Sequence, residues 1–136
     1  MKTVFADACY WIARFNPLDQ LHKDACSLSN GLGNCRIVTS EMVLVEFVNG
    51  LGGLEQPLRA KAAEVVSALM NNPNVEVIPQ TSMQFSSALQ YFKQMRDKKW
   101  GLTDCASIQI MRDRELDEAL TYDHHFEQAG FKALMR

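Results

Sequence analysis

Glycine, proline and long apolar runs are scarce in this sequence. Seven glycines and four prolines among 136 residues exclude a collagen-like or low-complexity chain. Charged residues interrupt every stretch long enough to cross a bilayer, so no transmembrane helix is expected. The N-terminal segment carries Asp7 where a secretory signal would still be apolar. These absences predict a cytoplasmic protein that is neither fibrous nor embedded in a membrane.

Cysteine pairs and an excess of positive charge are also missing. The four cysteines form no CxxC pair and none has a histidine at zinc-finger spacing, which argues against a metal site built on sulfur. We expect them to be small buried side chains in a reducing compartment. The formal net charge of −2 argues against nucleic-acid binding through a bulk positive field. Any contact with nucleic acid must therefore depend on a local patch.

The sequence does contain enough apolar residues for one core, because 47% of its residues are hydrophobic and its length fits a single domain over residues 1–136. Short β-branched runs predict strands over 3–6, 36–39, 75–78 and 118–121, with a weaker candidate at 131–134. The remaining segments predict helices over 8–15, 20–30, 41–51, 57–70, 82–96 and 103–114. Ser40 and either Thr81 or Ser82 are expected to cap helices, and Pro57 suits a first turn. This alternation predicts an α/β fold with a mostly parallel sheet covered by helices on both faces.

Two acidic residues follow predicted strands directly. Asp7 comes after the strand that ends at Ala6, and Asp123 comes shortly after the strand at 118–121. In open parallel sheets the binding crevice lies at the carboxyl ends of the strands, where the strand order reverses. Both carboxylates are therefore candidates for a functional site.

Two further acids lie in apolar helical segments. Asp104 stands near the start of one helix, and Glu46 stands in the middle of another, between Val45 and Phe47. A carboxylate among apolar residues is costly to bury unless something binds it. Asn49 follows Glu46 by three residues, so the helix face that carries Glu46 is polar and suited to a ligand.

Four carboxylates that converge on one site repel one another, and a hard divalent cation relieves that repulsion. Mg²⁺ and Mn²⁺ prefer oxygen ligands and can stabilise the charge that develops on a phosphate, so hydrolysis of a phosphodiester is the chemistry expected here. A simpler alternative exists for three of the acids. Asp7, Asp104 and Asp123 all lie near helix starts, where aspartate is a favoured cap.

These segments, in this order, resemble the PIN domain, a family of small metal-dependent ribonucleases, and in particular the VapC-type toxins of bacterial toxin–antitoxin pairs. The resemblance extends over essentially the whole chain. The matching segments are 4–7 with the aromatic helix at 10–12, the helix of Glu46 and Asn49, then 102–107, 119–123 and 124–131.

The resemblance implies a role for each acid. The catalytic and metal-binding quartet would be Asp7, Glu46, Asp104 and Asp123. Of these, Asp7 and Asp104 would hold the cation directly, while the other two would act directly or through water. Thr103 matches a hydroxyl neighbour of the third acid, and Asn49 is a further supporting residue. One departure is Ala8, since many members carry a hydroxyl just after the first acid, and its loss is expected to weaken metal binding.

The resemblance also implies a fold, an activity and partners. The fold would be a PIN-like three-layer sandwich of four to five strands, in which the strands bearing Asp7 and Asp123 are adjacent. The activity would be that of a Mg²⁺- or Mn²⁺-dependent endoribonuclease, the toxin of a type II pair, often a homodimer and bound by a small antitoxin. The alternative is a catalytically silent PIN-like module that only binds RNA or a protein.

A basic segment near the Asp104 helix is the candidate RNA contact. Lys98 and Lys99 precede Trp100, and Arg112 lies further along the chain. The cations could bind RNA phosphates and the indole could stack on an unpaired base, although such runs are commonly just solvated helix ends. His124 and His125 are expected to be surface or helix-start residues, because no histidine or cysteine partner stands at metal-site spacing.

Overall fold

The computed structural model describes all 136 residues as seven helices alternating with five strands. The strands are β1 (Lys2–Ala6), β2 (Cys35–Ser40), β3 (Val75–Ile78), β4 (Glu118–Leu120) and β5 (Lys132–Ala133). The helices are α1 (Ala8–Phe15), α2 (His22–Gly31), α3 (Glu41–Gly52), α4 (Gln56–Met70), α5 (Ser82–Gln94), α6 (Leu102–Asp113) and α7 (His124–Gln128). None of these helices combines the length and apolar character that a membrane span requires.

The five strands form one sheet in the order β3-β2-β1-β4-β5, and every neighbouring pair is parallel. This confirms the predicted α/β fold with a parallel sheet. Strand β1 lies in the centre, with β2 on one side and β4 on the other, so the strand order reverses at β1. The pairing of β1 with β4 is the adjacency that the family resemblance implies. The switch point between these strands is where an open α/β sheet forms its crevice.

The central strand is buried on both faces. Val4, Phe5 and Ala6 are consecutive and each has no exposed surface. Successive side chains of a strand point to opposite faces, so both faces of β1 must be covered by helices. The largest apolar cluster joins this strand to residues of several helices, among them Phe47 of α3 and Phe126 of α7. The sandwich therefore holds β1 rigidly up to the residue where it ends.

The helix starts follow the capping signals with one exception. The Ser40 hydroxyl accepts a hydrogen bond from the Val43 N–H at 3.1 Å, and Thr81, rather than Ser82, caps α5. Helix α6, however, begins at Leu102 and not at Thr103, with Gly101 in the capping position. The reason is that the carboxylate three residues later closes the first turn from inside the helix, as the next section describes. The short helix α7 was not among the predicted helices.

The cysteines are less uniform than expected. All four are free thiols, and only Cys105 is fully buried, whereas the other three are half-buried. The prediction that all are small core side chains is therefore right for Cys105 alone. Cys9 lies in the first turn of α1, beside the end of β4.

A buried hydrogen-bonded chain joins α1 to the carboxyl ends of β1 and β2. The indole Nε1 of Trp11 donates to the Thr39 hydroxyl at 3.2 Å, and that hydroxyl donates to the Ala6 carbonyl at 2.9 Å. Trp11 is 3% exposed and Thr39 is fully buried. Because Ala6 is the last residue of β1, this chain fixes the point from which the next residue projects.

We expect Thr39→Val to lower the free energy of unfolding by about 1–3 kcal/mol, since it leaves the buried indole N–H without an acceptor. Urea denaturation followed by Trp fluorescence measures the change. Thr39→Ser keeps the hydroxyl and is the matched control, which should lose clearly less. Equal stability of the valine variant and the parent protein would contradict the structural role of this chain.

Candidate functional site

Asp7 lies at the junction of β1 and β4. Its backbone N–H donates to the carbonyl of Leu120 at 3.1 Å, which ties the end of β1 to the end of β4. The side chain is 6% exposed. Asp7 occupies the N-cap position of α1, but its carboxylate makes no capping hydrogen bond. Helix capping therefore does not account for this acid.

Asp104 and Asp123 do cap helices, each with one oxygen. Asp104 Oδ2 accepts a hydrogen bond from the Gly101 N–H at 3.0 Å, and Asp123 Oδ1 accepts one from the His125 N–H at 2.9 Å. No donor of the protein contacts the other oxygen of either carboxylate. Capping thus accounts for one oxygen of each carboxylate and leaves the other oxygen available to a ligand.

The structure brings three of the four predicted acids together. One carboxylate oxygen from each of Asp7, Asp104 and Asp123 lies within 4.8 Å of the others. They come from the end of β1, the first turn of α6 and the start of α7. We call these three residues the acidic trio. Glu46 is not part of it, and its side chain is exposed on α3 at the margin of the site.

Burial and like charge make Asp7 hard to ionise. Burial raises the pKa of Asp7 to about 7, and the negative charges of Asp104 and Glu46 act in the same direction. The nearby Ala8 N–H and the hydrogen bond from the Thr121 hydroxyl oppose this rise without cancelling it. A positive charge beside Asp7 would therefore favour the ionised form of its carboxyl group.

The pKa values of Asp104 and Glu46 are raised for the same reasons, burial and neighbouring negative charge. Burial raises the pKa of Asp104, and the charge of Asp123 adds to the rise. Partial burial also raises the pKa of Glu46, although a hydrogen bond with Thr103 lowers it, and the charges of Asp104 and Asp123 raise it further. Thr103 therefore contacts Glu46 and connects the marginal acid to the helix of the third one.

Thr121 supports the first acid from the neighbouring strand. Its hydroxyl donates to Asp7 Oδ2 at 3.0 Å and accepts the Asp123 N–H at 3.0 Å, and the side chain is fully buried. The Cys9 thiol lies 3.3 Å from the same hydroxyl. Ala8 carries no hydroxyl, but Thr121 supplies one to the Asp7 carboxylate. No sequence pattern assigns this role to Thr121, although a hydroxyl two residues before Asp123 at a strand end is a usable signal.

His125 also lies in the site, which no sequence pattern indicates. Its Nδ1 is 3.0 Å from Asp104 Oδ2 and 3.0 Å from Asp123 Oδ1, and the side chain is 17% exposed. The expectation of a helix-start residue is correct, and the ring also lies beside two of the acids. His124 does lie on the surface, with 57% of its side chain exposed. The spacing between histidines and cysteines did not indicate this position, because the partners of His125 are carboxylates.

The acidic trio fits a hard divalent cation. Its donors are all oxygen atoms, they converge from three segments, and at least two have a carboxylate oxygen that no protein donor uses. Mg²⁺ and Mn²⁺ bind such carboxylate clusters and keep several waters. The cation would be held by Asp7, Asp104 and Asp123, and it would offset the repulsion that raises the pKa of Asp7.

The predicted RNA-contact residues are divided by the structure. Trp100 is only 5% exposed, its Nε1 donates to Gln128 at 2.9 Å, and its ring packs against Tyr91. The expectation that Trp100 stacks on an RNA base is wrong, because burial between α5 and α7 leaves no ring face free. Lys98 lies 3.4 Å from Asp97, and Lys99 is exposed.

Two other predicted residues have different surroundings. Arg112 is exposed but already engaged, since it donates to the Tyr91 hydroxyl at 2.7 Å and lies over the Phe131 ring. Asn49 is exposed on α3 and lines a groove with Val48 and Met70, and its side chain makes no hydrogen bond to the acids. Neither residue contacts the acidic trio.

Comparisons with known proteins identify a family and similar solved structures. The family model described as "PIN domain" matches residues 4–132. A search of curated proteins finds no match. Among solved structures, VapC20 of Mycobacterium tuberculosis, described as a sarcin–ricin loop cleaving toxin, aligns with a TM-score of 0.83 at 24% identity, covering 94% of this chain and 95% of that one.

Two further solved structures share the fold at lower identity. VapBC2 from Rickettsia felis, bound to a DNA fragment from its promoter, aligns with a TM-score of 0.64 at 11% identity, covering 96% of each chain. FitAcB from Neisseria gonorrhoeae aligns with a TM-score of 0.65 at 14% identity, covering 96% of this chain and 95% of that one. At these identities the three structures establish a common fold.

The raised pKa of Asp7 predicts how stability depends on pH when divalent cations are removed. The folded state binds a proton at Asp7 up to about pH 7, whereas the unfolded chain releases it near 3.8. The free energy of unfolding therefore falls as pH rises between these values, by an amount on the order of a few kcal/mol at about 1.4 kcal/mol per pKa unit. Asp7→Asn should flatten this dependence. Urea denaturation in EDTA at pH 5 and pH 8 measures it, and equal slopes for both proteins would contradict the prediction.

Proposed function

This chain belongs to the PIN domain family, and on that premise we propose that it is a Mg²⁺- or Mn²⁺-dependent endoribonuclease that hydrolyses RNA phosphodiester bonds. The observation that carries the proposal is the acidic trio, whose three carboxylates lie within 4.8 Å of one another. Asp7 is buried and the other two are half-buried, and such a concentration of like charge costs folding free energy that a bound cation would offset. A divalent cation that meets a phosphate is the ligand that best suits it.

In the proposed mechanism, Asp7 and Asp104 would hold the cation, and Asp123 would complete its set of protein ligands. A bound cation would lower the pKa of a water molecule and neutralise charge on the phosphate under attack. Thr121 keeps Asp7 in place through its hydroxyl. Glu46 is exposed beside the trio, and its raised pKa makes its carboxylate a better proton acceptor, so we assign it to orienting the attacking water.

We also propose that the protein is the toxin of a type II toxin–antitoxin pair, silenced by a small antitoxin, homodimeric and located in the cytoplasm. This is supported by the family match and by the likeness to toxin structures over nearly the full length of both chains. VapC20 cleaves the sarcin–ricin loop, and we extend to this chain only the general class of substrate, RNA. A catalytically silent PIN-like module that only binds RNA or a protein is the alternative, and the trio argues against it.

A basic groove offers a path for the RNA strand beyond the acids. Lys93, Arg96 and Lys98 line a groove of about 490 Å³ together with Met95 and Phe92, whose ring is 44% exposed. The segment 95–101 leads from this groove to the Gly101 N–H, which hydrogen-bonds Asp104. Three cations and an exposed ring match the phosphates and bases of a single strand. We therefore assign base stacking to Phe92 and not to Trp100.

We expect Asp104→Asn to abolish metal-dependent RNA cleavage while leaving the fold nearly unchanged. Asp104 accepts the Gly101 N–H from the third helical position, where a neutral amide such as glutamine also serves, so the amide oxygen of asparagine can still accept this bond, but the negative charge for the cation is lost. A cleavage assay on total RNA with and without Mn²⁺ measures the effect, alongside a thermal unfolding curve. Equal cleavage by both proteins would remove Asp104 from the mechanism. No cleavage by the parent protein would instead favour the silent module.

We expect Arg96→Gln combined with Lys98→Gln to weaken the binding of a single-stranded RNA in EDTA, where no cleavage occurs. Two lost phosphate contacts should lower the slope of log affinity against log salt by about 1.4, at about 0.7 per contact on a single strand. Fluorescence anisotropy of a labelled oligonucleotide measures this slope. Lys23→Gln combined with Lys61→Gln, which removes two cations outside the groove, is the matched control. The same slope change in both double variants would exclude a specific path along the groove.

A further inference from the structure

One imidazole connects two members of the acidic trio that come from different parts of the chain. His125 Nδ1 lies 3.0 Å from Asp104 Oδ2, in the first turn of α6, and 3.0 Å from Asp123 Oδ1, at the start of α7. Carboxylate oxygens only accept hydrogen bonds, so Nδ1 is the donor in the bond to Asp104. No other side chain contacts both of these carboxylates.

All protein contacts converge on one oxygen of each carboxylate. Asp104 Oδ2 accepts from the Gly101 N–H and from His125 Nδ1, while Asp123 Oδ1 accepts from the His125 N–H and faces the same ring nitrogen. Asp104 Oδ1 and Asp123 Oδ2 have no donor. Metal-binding carboxylates are oriented in this way, with one oxygen held by the protein and the other directed to the ion.

The helix start explains why this ring is in place. Asp123 caps α7 through the His125 N–H at 2.9 Å, and side chains in a first turn are directed back over the residues that precede them. The ring therefore lies over its own cap and against Asp104. It is 17% exposed, and Asp104 is 16% exposed, so water competes weakly for the bond between them.

We propose that His125 is a positioning residue that holds Asp104 and Asp123 in the orientation that binds the divalent cation. The inference depends on the proposed function, because it assumes that the acidic trio takes a cation. His125 acts through the two carboxylates, and it supplies the one donor that spans two like-charged groups. Without that donor, no side chain of the protein offsets the repulsion between the two carboxylates.

The neighbouring histidine is a natural control. His124 is 57% exposed, its Nδ1 is 3.7 Å from Asp123 Oδ1, and it makes no contact with Asp104. Both residues are histidines, and they are the first two residues of α7. A general effect of removing an imidazole from α7 would appear in both.

The experiment measures Mn²⁺ affinity without RNA, by following free Mn²⁺ with electron paramagnetic resonance. His125→Leu removes the donor, and we expect the Kd for Mn²⁺ to rise by about 10- to 100-fold, as it does when an outer-shell partner of a metal ligand is lost. His125→Asn places an amide N–H near the position of Nδ1 and should restore affinity to within a few-fold of the parent protein. His124→Leu should leave the Kd unchanged.

Each outcome has one meaning. Unchanged affinity in His125→Leu would overturn the proposal, as would an equal loss in His125→Asn, because the hydrogen bond would then not be the cause. An equal loss in His124→Leu would show a general effect of α7. If the leucine variant does not fold, His125→Ala replaces it as the donor-free protein. Absence of Mn²⁺ binding by the parent protein would contradict the proposed function, a result distinguishable from all of these.

Discussion

The parallel pairing of β1 with β4 is the constraint on which the rest of the structure depends. Ala6 pairs with Leu120, and the Asp7 N–H closes that pairing with a backbone hydrogen bond to Leu120. Both strands end at the same edge, so the residues that follow them must meet there. The buried core fixes the central strand from both faces, and the edge position of Asp7 follows from backbone geometry before any side chain is considered.

The acidic site lowers the free energy of unfolding that the core provides. Burial and like charge both favour the protonated form of Asp7, and the fold tolerates this because the surrounding apolar packing is extensive. Thr121 and His125 reduce the cost locally by donating hydrogen bonds to acidic side chains, without filling the space between them. The arrangement is typical of functional sites, where stability is sacrificed for a prepared binding geometry.

Local patterns were sufficient to predict the strands, the caps at Ser40 and Thr81, and three acids that converge. Those features depend on residues within a few positions of one another or on the general rule for strand ends. The roles of Thr121 and His125 depend on partners that lie 114 and 21 residues away, which no periodicity encodes. The burial of Trp100 could not be predicted for the same reason, because Gln128, which accepts a hydrogen bond from its indole N–H, lies 28 residues later. The sequence also could not show that Glu46 lies outside the trio.

The late position of β4 in the chain has a consequence for synthesis. The first three strands and five helices are complete by Gln94, yet they carry only one member of the trio. The second and third arrive with Asp104 in α6 and Asp123 just before α7. Proteins emerge from the ribosome N-terminus first. A nascent chain therefore cannot assemble its cluster of acids until Asp123 has been made, well after its first three strands and five helices.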